Sequence, residues 1–113
     1  MAVSVIQGNI DSGWKQIPLR SGVSLNVALY RVKNGVCYCT IADVGVWSYS
    51  GGSWVAFADL PAEARPTTQN VYGSFSARAG HVGEWRILPS GAIEIFAPTS
   101  ANEFSFNAVF PIP

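Results

Sequence analysis

The stretch "VALYRVKNGVCYCTIADVG", residues 27–45, constrains the fold more than any other part of the chain. Two runs that alternate apolar with polar residues meet at Asn34-Gly35. Alternation with a period of two is the mark of a half-buried strand, because successive side chains leave a pleated backbone on opposite faces. Asn-Gly suits the two central positions of a type I′ turn, both of which need positive φ. The spacing therefore predicts an antiparallel hairpin from runs 23–33 and 36–47, pairing Lys33 with Val36, Arg31 with Tyr38 and Leu29 with Thr40.

The rest of the chain reads the same way. No segment carries apolar residues at the i, i+3, i+4, i+7 spacing over three turns, so helix signals are almost absent. "GWKQIPLR" (13–20) reads as an early strand with Pro18 where a sheet edge tolerates a missing donor. "SGGS" (50–53) marks a turn between "VWSYS" and "WVAFADL". "LPSGA" (88–92) joins "GEWRIL" to "AIEIF", with Gly91 suited to a left-handed position in a bulged hairpin. "NVYGSFSARA" (70–79) and "EFSFNAVFPI" (103–112) complete the set. About eight or nine strands follow, with turn signals at roughly 8–12-residue spacing, the pattern of an antiparallel sandwich. The expectation is an all-β, jelly-roll-like β-sandwich forming a single domain over residues 1–113, with no linker or repeat.

Composition narrows the setting. Charged residues make up 12% of the 113, against about 25% in ordinary soluble domains, and hydrophobic residues make up 49%. Seven basic residues balance seven acidic ones. A monomer this apolar, with net charge zero, would be poorly soluble, so part of its surface is expected to lie under another subunit. A monomer with a Ser/Gly/Asn-rich surface is the alternative, since even ordinary surfaces are largely apolar. Without clustered Lys and Arg, nucleic acid is not an expected partner. No apolar run approaches about 18 residues, so no membrane insertion is expected. The opening "MAVSVIQGN" lacks the basic region and long apolar run of a signal peptide, which predicts synthesis in a bacterial cytoplasm. Cys37 and Cys39 fall on one face of their strand, where a bridge would distort the backbone, and are expected as two small buried residues.

The residues offer little to catalysis. His81, in "AGHVG", is the single histidine, and no nucleophile-elbow pattern accompanies it. A glycosidase needs two facing carboxylates; Asp43 and Asp59, on neighbouring predicted strands or loops, are the candidate pair, although solvated loop carboxylates are commoner. No metal-ligand cluster and no phosphate-cradling loop occurs. The expectation is a non-enzyme with no cofactor and no metal. The better signal is "VWSYSGGSWV" (46–55), whose Trp, Tyr, Ser and Gly are the residues of recognition loops. Sugars offer CH faces to aromatic rings and hydroxyls to polar neighbours. Trp47, Tyr49 and Trp54 are accordingly the candidate ligand-binding residues. For the two tryptophans, burial as cross-strand or interface residues weighs slightly more; for Tyr49, exposure at the site is favoured.

Four segments, in order, carry a family resemblance: "DSGWKQIPLRSGV", "ALYRVKNGVCYCTIADVG", "FADLPAEARPT" and "GEWRILPSGAIEIF". The Leu-Pro-x-x-x-Arg-Pro of the third is the most specific. Together they resemble the C-terminal receptor-binding head domain of tailed-phage tail-fibre and baseplate proteins, over about residues 11 to 97. The chain departs from that pattern at Ala64, where the family has an aromatic, and lacks the shaft or collagen-like segment that usually precedes such heads. It is thus expected as an excised domain or a small accessory protein. The resemblance implies a homotrimer on the virion, in contact with other tail or baseplate proteins. It also implies non-catalytic adsorption to a host cell-surface saccharide. A structural docking module without sugar binding is the alternative. Within "LPAEARPT", Pro61 and Pro66 cannot donate to a ladder, and a residue before proline is pushed extended. The segment reads as a stiff crossover between sheets, with Arg65 in a structural role. Should the 46–55 loop be packing, the ligand is expected in a groove between subunits near Arg78 and His81.

Overall fold

The structure, a computed structural model, describes residues 11–76, 82–98 and 101–113. They form eight strands: β1 (Lys15–Gln16), β2 (Val27–Lys33), β3 (Val36–Tyr49), β4 (Val55–Asp59), β5 (Val71–Ser76), β6 (Val82–Ile87), β7 (Ala92–Phe96) and β8 (Ala101–Pro111). Two four-stranded sheets result, in the orders β1-β2-β3-β8 and β4-β7-β6-β5, and every pairing is antiparallel. In the second sheet β5, β6 and β7 follow one another as a meander, while β4 returns beside β7. That is a Greek-key connection. The all-β sandwich expected from the sequence is what forms.

The central hairpin has the expected register, with Lys33 opposite Val36, Arg31 opposite Tyr38 and Leu29 opposite Thr40. Its turn has φ of 53° at Asn34 and 79° at Gly35, as a type I′ turn demands. The late hairpin also closes as read: the Gly91 amide donates to the Leu88 carbonyl at 2.8 Å, and Gly91 takes φ of 96°.

Three connections differ from expectation. Residues 13–20 do not form one strand. Lys15 and Gln16 pair with β2, whereas Leu19 bridges Ala58 of the opposite sheet. Pro18 lies between the two pairings, where its missing donor lets the chain turn the corner. "SGGS" does not close a hairpin, because β3 and β4 belong to opposite sheets. It carries the chain across the sandwich, held by the Gly52 amide donating to the Ala97 carbonyl at 2.8 Å. "LPAEARPT" joins β4 to β5, the two edges of one sheet, and is therefore not a crossover between sheets. Its Ala-Glu-Ala forms one 3-10 turn at Ala62–Ala64, bounded by extended Pro61 and Arg65. The Tyr30 hydroxyl donates to Glu63 Oε2 at 3.1 Å and fastens that turn to β2.

Between the sheets lies an aromatic core centred on Phe104, which contacts the rings of Trp47, Tyr49, Phe57, Phe75 and Phe106. Trp85 stacks on Phe106 with ring centroids 4.8 Å apart. Such pairs add about 0.5–1.5 kcal/mol each beyond the burial of their area. Cys37 and Cys39 are buried with free thiols, their sulfurs 3.8 Å apart. The hydrogen bond from Cys39 pulls the Cys37 thiol below its ordinary range; the same contact, with burial, pushes Cys39 upward.

The inward position of β3 at Asp43 holds a fully buried carboxylate. Pairing with β8 breaks just beyond it: Val44 faces Glu103, and the next pair is Tyr49 with Ala101. The extra β3 residues leave amides without ladder partners. Asp43 accepts those of Trp47 at 3.0 Å and Val46 at 3.3 Å, so its burial is the burial of a satisfied group.

Candidate ligand-binding face

Period-two alternation decides which side chains the second sheet shows to solvent. Its inward set is Phe75, Gly83, Trp85, Ile87, Ile93 and Ile95, all buried. The outward set is therefore the even-numbered one: Tyr72, Ser74 and Ser76 on β5, Val82, Glu84 and Arg86 on β6, Glu94 and Phe96 on β7. Strand register assembles these into rows. Tyr72, Arg86 and Glu94 lie side by side, and Ser74, Glu84 and Phe96 form the next row.

Arg86 organises the face. Its Nε donates to Glu94 Oε1, a short charge-assisted contact between two partly buried groups. Its guanidinium lies 4.0 Å from the centroid of the Trp54 ring. Trp54 in turn meets Phe96 at 5.6 Å with a 46° tilt. A cation over tryptophan is worth about 0.5–1 kcal/mol at an exposed position. The Arg86 plane is thus held by an ion pair at its Nε and a ring against its face. Beside this group lies a shallow trough of about 240 Å³ lined by Ser74, Val82, Gly83, Glu84, Phe96 and Pro98. Tyr72 stands at the sheet edge with 62% of its surface exposed. Partly exposed aromatic rings, two carboxylates and an oriented guanidinium are what a polyhydroxylated ring needs: a flat apolar surface for its CH face and charged acceptors and donors for its hydroxyls.

Of the residues read from the sequence as ligand-binding, Trp54 belongs to this face. Tyr49 does not. Its ring is 4% exposed, packed edge-on to Phe104 at 5.6 Å and tilted to Trp47 at 5.7 Å, and its hydroxyl donates to the Glu103 carbonyl at 3.3 Å. Burial and the nearby Asp43 charge both raise its pKa. The expectation of an exposed Tyr49 fails because β3 continues past its irregularity between Val44 and Tyr49 and returns the ring to an inward orientation. Trp47 packs against Phe57 at 5.7 Å. Trp47 and Trp54 consequently do not ring one pocket. Arg78 and His81 lie outside the described residues. Arg65 is engaged locally, with Nε donating to the Leu60 carbonyl at 3.0 Å. Gly91 packs against it, for a side chain there would come within 2.7 Å of Arg65 Nε.

Asp43 and Asp59 do not face each other. Asp43 is spent on backbone amides inside, whereas Asp59 forms a two-point ion pair with Arg20, both contacts at 2.9 Å, at the edge of the other sheet. Among the described residues no group of three His, Cys, Asp or Glu side chains converges as a metal site would require. Arg86, Glu94, Glu84, Phe96 and Tyr72 were not singled out from sequence. Their signal was present in the alternation of "GEWRIL" and "AIEIF", read from the outward side.

No protein-family model matches the chain, and no curated protein sequence does. A solved structure does match: the head domain of lactococcal phage bIL170, from work on a common fold for the receptor-binding domains of lactococcal phages. The match has a TM-score of 0.68 and 22% sequence identity, and covers 88% of this chain and 97% of that one. The chain therefore has the fold of a lactococcal phage receptor-binding head, the fold that its four sequence segments resemble.

Proposed function

We propose that this chain is the receptor-binding head of a phage or prophage tail fibre or baseplate, adsorbing to a host-surface saccharide without catalysis. The observation that carries the reading is the fold shared with the phage bIL170 head over nearly the whole of both chains. The outer face of the second sheet supplies the chemistry, with Trp54, Arg86, Glu94 and Phe96 as its centre. The other outer face suits subunit contact. There Val27, Leu29, Val36 and Ala42 are half-buried in the single chain, and Val44 and Val109 are 58% and 60% exposed. These apolar side chains, interleaved with Arg31, Tyr38, Thr40, Ser105 and Asn107, are where a homotrimer would cover surface that the low charge leaves insoluble.

The test is an array of bacterial surface polysaccharides probed with the purified protein, alongside light scattering. Saccharide binding that is lost in Trp54→Ala, at a mass near three chains for both proteins, is expected. Absence of binding to every saccharide and to intact bacteria would leave a docking module of the tail. Release of sugar fragments during incubation would make the protein an enzyme.

A further inference from the structure

A second concavity lies away from the Trp54 face, where the 66–71 segment passes the C-terminal end of β8. It has a volume of about 180 Å³. Thr67, Thr68, Gln69 and Asn70 supply its polar wall, and Pro66, Phe110 and Pro111 contribute apolar surface. No charged residue lines it. The Arg86 face differs, since two of its rows carry charges. Pro66 and the Phe110 ring are buried, so the floor is fixed by the core, while Thr67, Thr68 and Gln69 are exposed and free to meet a ligand. Two hydroxyls and two carboxamides offer both donors and acceptors in a small volume. Without a cation to pair with a phosphate or carboxylate, or an anion to pair with an ammonium, desolvating a charged ligand here would go uncompensated.

From this lining we infer that the groove between residues 66–71 and Phe110–Pro111 is a binding site for an uncharged hexopyranose unit. Exposed Pro111, backed by the buried Pro66 and Phe110, takes the CH face of the ring, and the Thr, Gln and Asn side chains take its hydroxyls. Asn70 connects the groove to the other face, since its Nδ2 donates to the Tyr72 hydroxyl at 2.9 Å. A saccharide chain with a neutral unit in the groove would thus lie next to the aromatic and charged rows. Choosing a sugar among neutral polyols rests on the receptor-binding reading; the exclusion of charged ligands rests on the lining alone.

The experiment is an amide chemical-shift titration of the whole chain with methyl glucoside, methyl galactoside and methyl N-acetylglucosaminide, run against glucuronate and glucose 6-phosphate. At least one neutral glycoside is expected to shift the amides of Thr67 to Val71 with a millimolar Kd, and the acidic sugars to bind at least tenfold more weakly. Gln69→Ala should weaken the neutral ligand several-fold. Asn70→Asp should weaken it too, by placing a charge in the wall. Silence at these amides with all three glycosides overturns the inference, as does equal binding of glucuronate. If array binding is abolished by Trp54→Ala while the groove stays silent, the groove fails and the receptor-binding reading stands. If the groove binds sugar and neither array nor cells do, the reverse holds.

Discussion

Truncating Tyr49 and truncating Trp54 should have opposite consequences, and the contrast tests the assignment of core and surface. Tyr49 is 4% exposed and touches both Phe104 and Trp47. Replacing a buried aromatic with alanine removes its transfer free energy and leaves a cavity that a rigid sandwich closes only in part, for a loss of about 3–5 kcal/mol. Against a total stability of about 5–15 kcal/mol for a domain, Tyr49→Ala should be near unfolding. Tyr49→Phe keeps the ring and gives up one long hydrogen bond, so it should lose no more than about 1 kcal/mol. Trp54→Ala loses a tilted contact with Phe96 and a cation contact with Arg86. Those are worth about 0.5–1.5 and 0.5–1 kcal/mol, or roughly 1–2 together.

Urea denaturation measures this directly through the midpoint at constant m-value. Protein concentration must be held fixed, because assembly would add to apparent stability. The expected order of midpoints is parent, Tyr49→Phe, Trp54→Ala, Tyr49→Ala. Saccharide binding should follow a different order, retained in Tyr49→Phe and lost in Trp54→Ala. A Tyr49→Ala protein that folds within about 1 kcal/mol of the parent would refute the core assignment, since no buried ring of that size can be removed so lightly.

Other outcomes follow from single contacts. A β-carbon added at Gly73 would fall 2.3 Å from the Trp85 ring, so Gly73→Ala should cost about 1–3 kcal/mol and shift Trp85 fluorescence as the ring moves off Phe106. Asp43→Ala should cost at least about 1.5–3 kcal/mol in denaturant melts, because the Val46 and Trp47 amides lose a charged acceptor. The Arg20 hydrogen bond lowers the Asp59 pKa, so this pair's contribution is complete above the unfolded carboxylate value of about 3.9 and is lost as pH falls through the lower folded value. Both side chains are nearly half exposed, which limits the effect to at most about 1 kcal/mol; Asp59→Asn should flatten the acid limb of a stability–pH curve by that amount.

How much was legible in the sequence depended on whether the deciding interaction was local. The Asn34-Gly35 and Gly91 turns impose their conformations within a few residues, so both hairpins, and the register of the first, could be read directly. The β3–β4 connection could not. "SGGS" has turn residues whether it closes a hairpin or crosses the sandwich, and the choice is made by distant pairings, β3 with β8 and β4 with β7. The same holds for residues 13–20, where Pro18 announces a break but not that the two halves join different sheets. Tyr49 was misplaced because the composition of "WSYSGGSW" suggested a loop where β3 in fact continues to Tyr49, and the ladder break after Val44 interrupts the alternation that would have shown its face. Asp43 explains how that continuation survives a broken ladder: it supplies inside the protein the acceptor that β8 no longer provides.

On the proposed reading, the two outer faces divide the work of the molecule between them. Both sheets send aromatic and aliphatic residues inward, so the core does not distinguish them. Outside, β2, β3 and β8 present Val27, Leu29, Val36, Ala42, Val44 and Val109 interleaved with the polar side chains of Arg31, Tyr38, Thr40, Ser105 and Asn107. Contact through the apolar part of this face would gain in proportion to the area buried. The second sheet presents Tyr72, Glu84, Arg86, Glu94 and Phe96, with Trp54 laid over them. Covering that face with another subunit would require desolvating an ion pair that already satisfies itself, which brings little affinity. Left open, it gives a ligand fixed rings and an oriented guanidinium at small entropic loss. In the proposed trimer, assembly through the first sheet would leave the second facing outward in each copy, so that three sites would meet a host surface at once. Weak single-site affinity is sufficient in that arrangement, because linked sites raise avidity by orders of magnitude when the geometry lets them engage together.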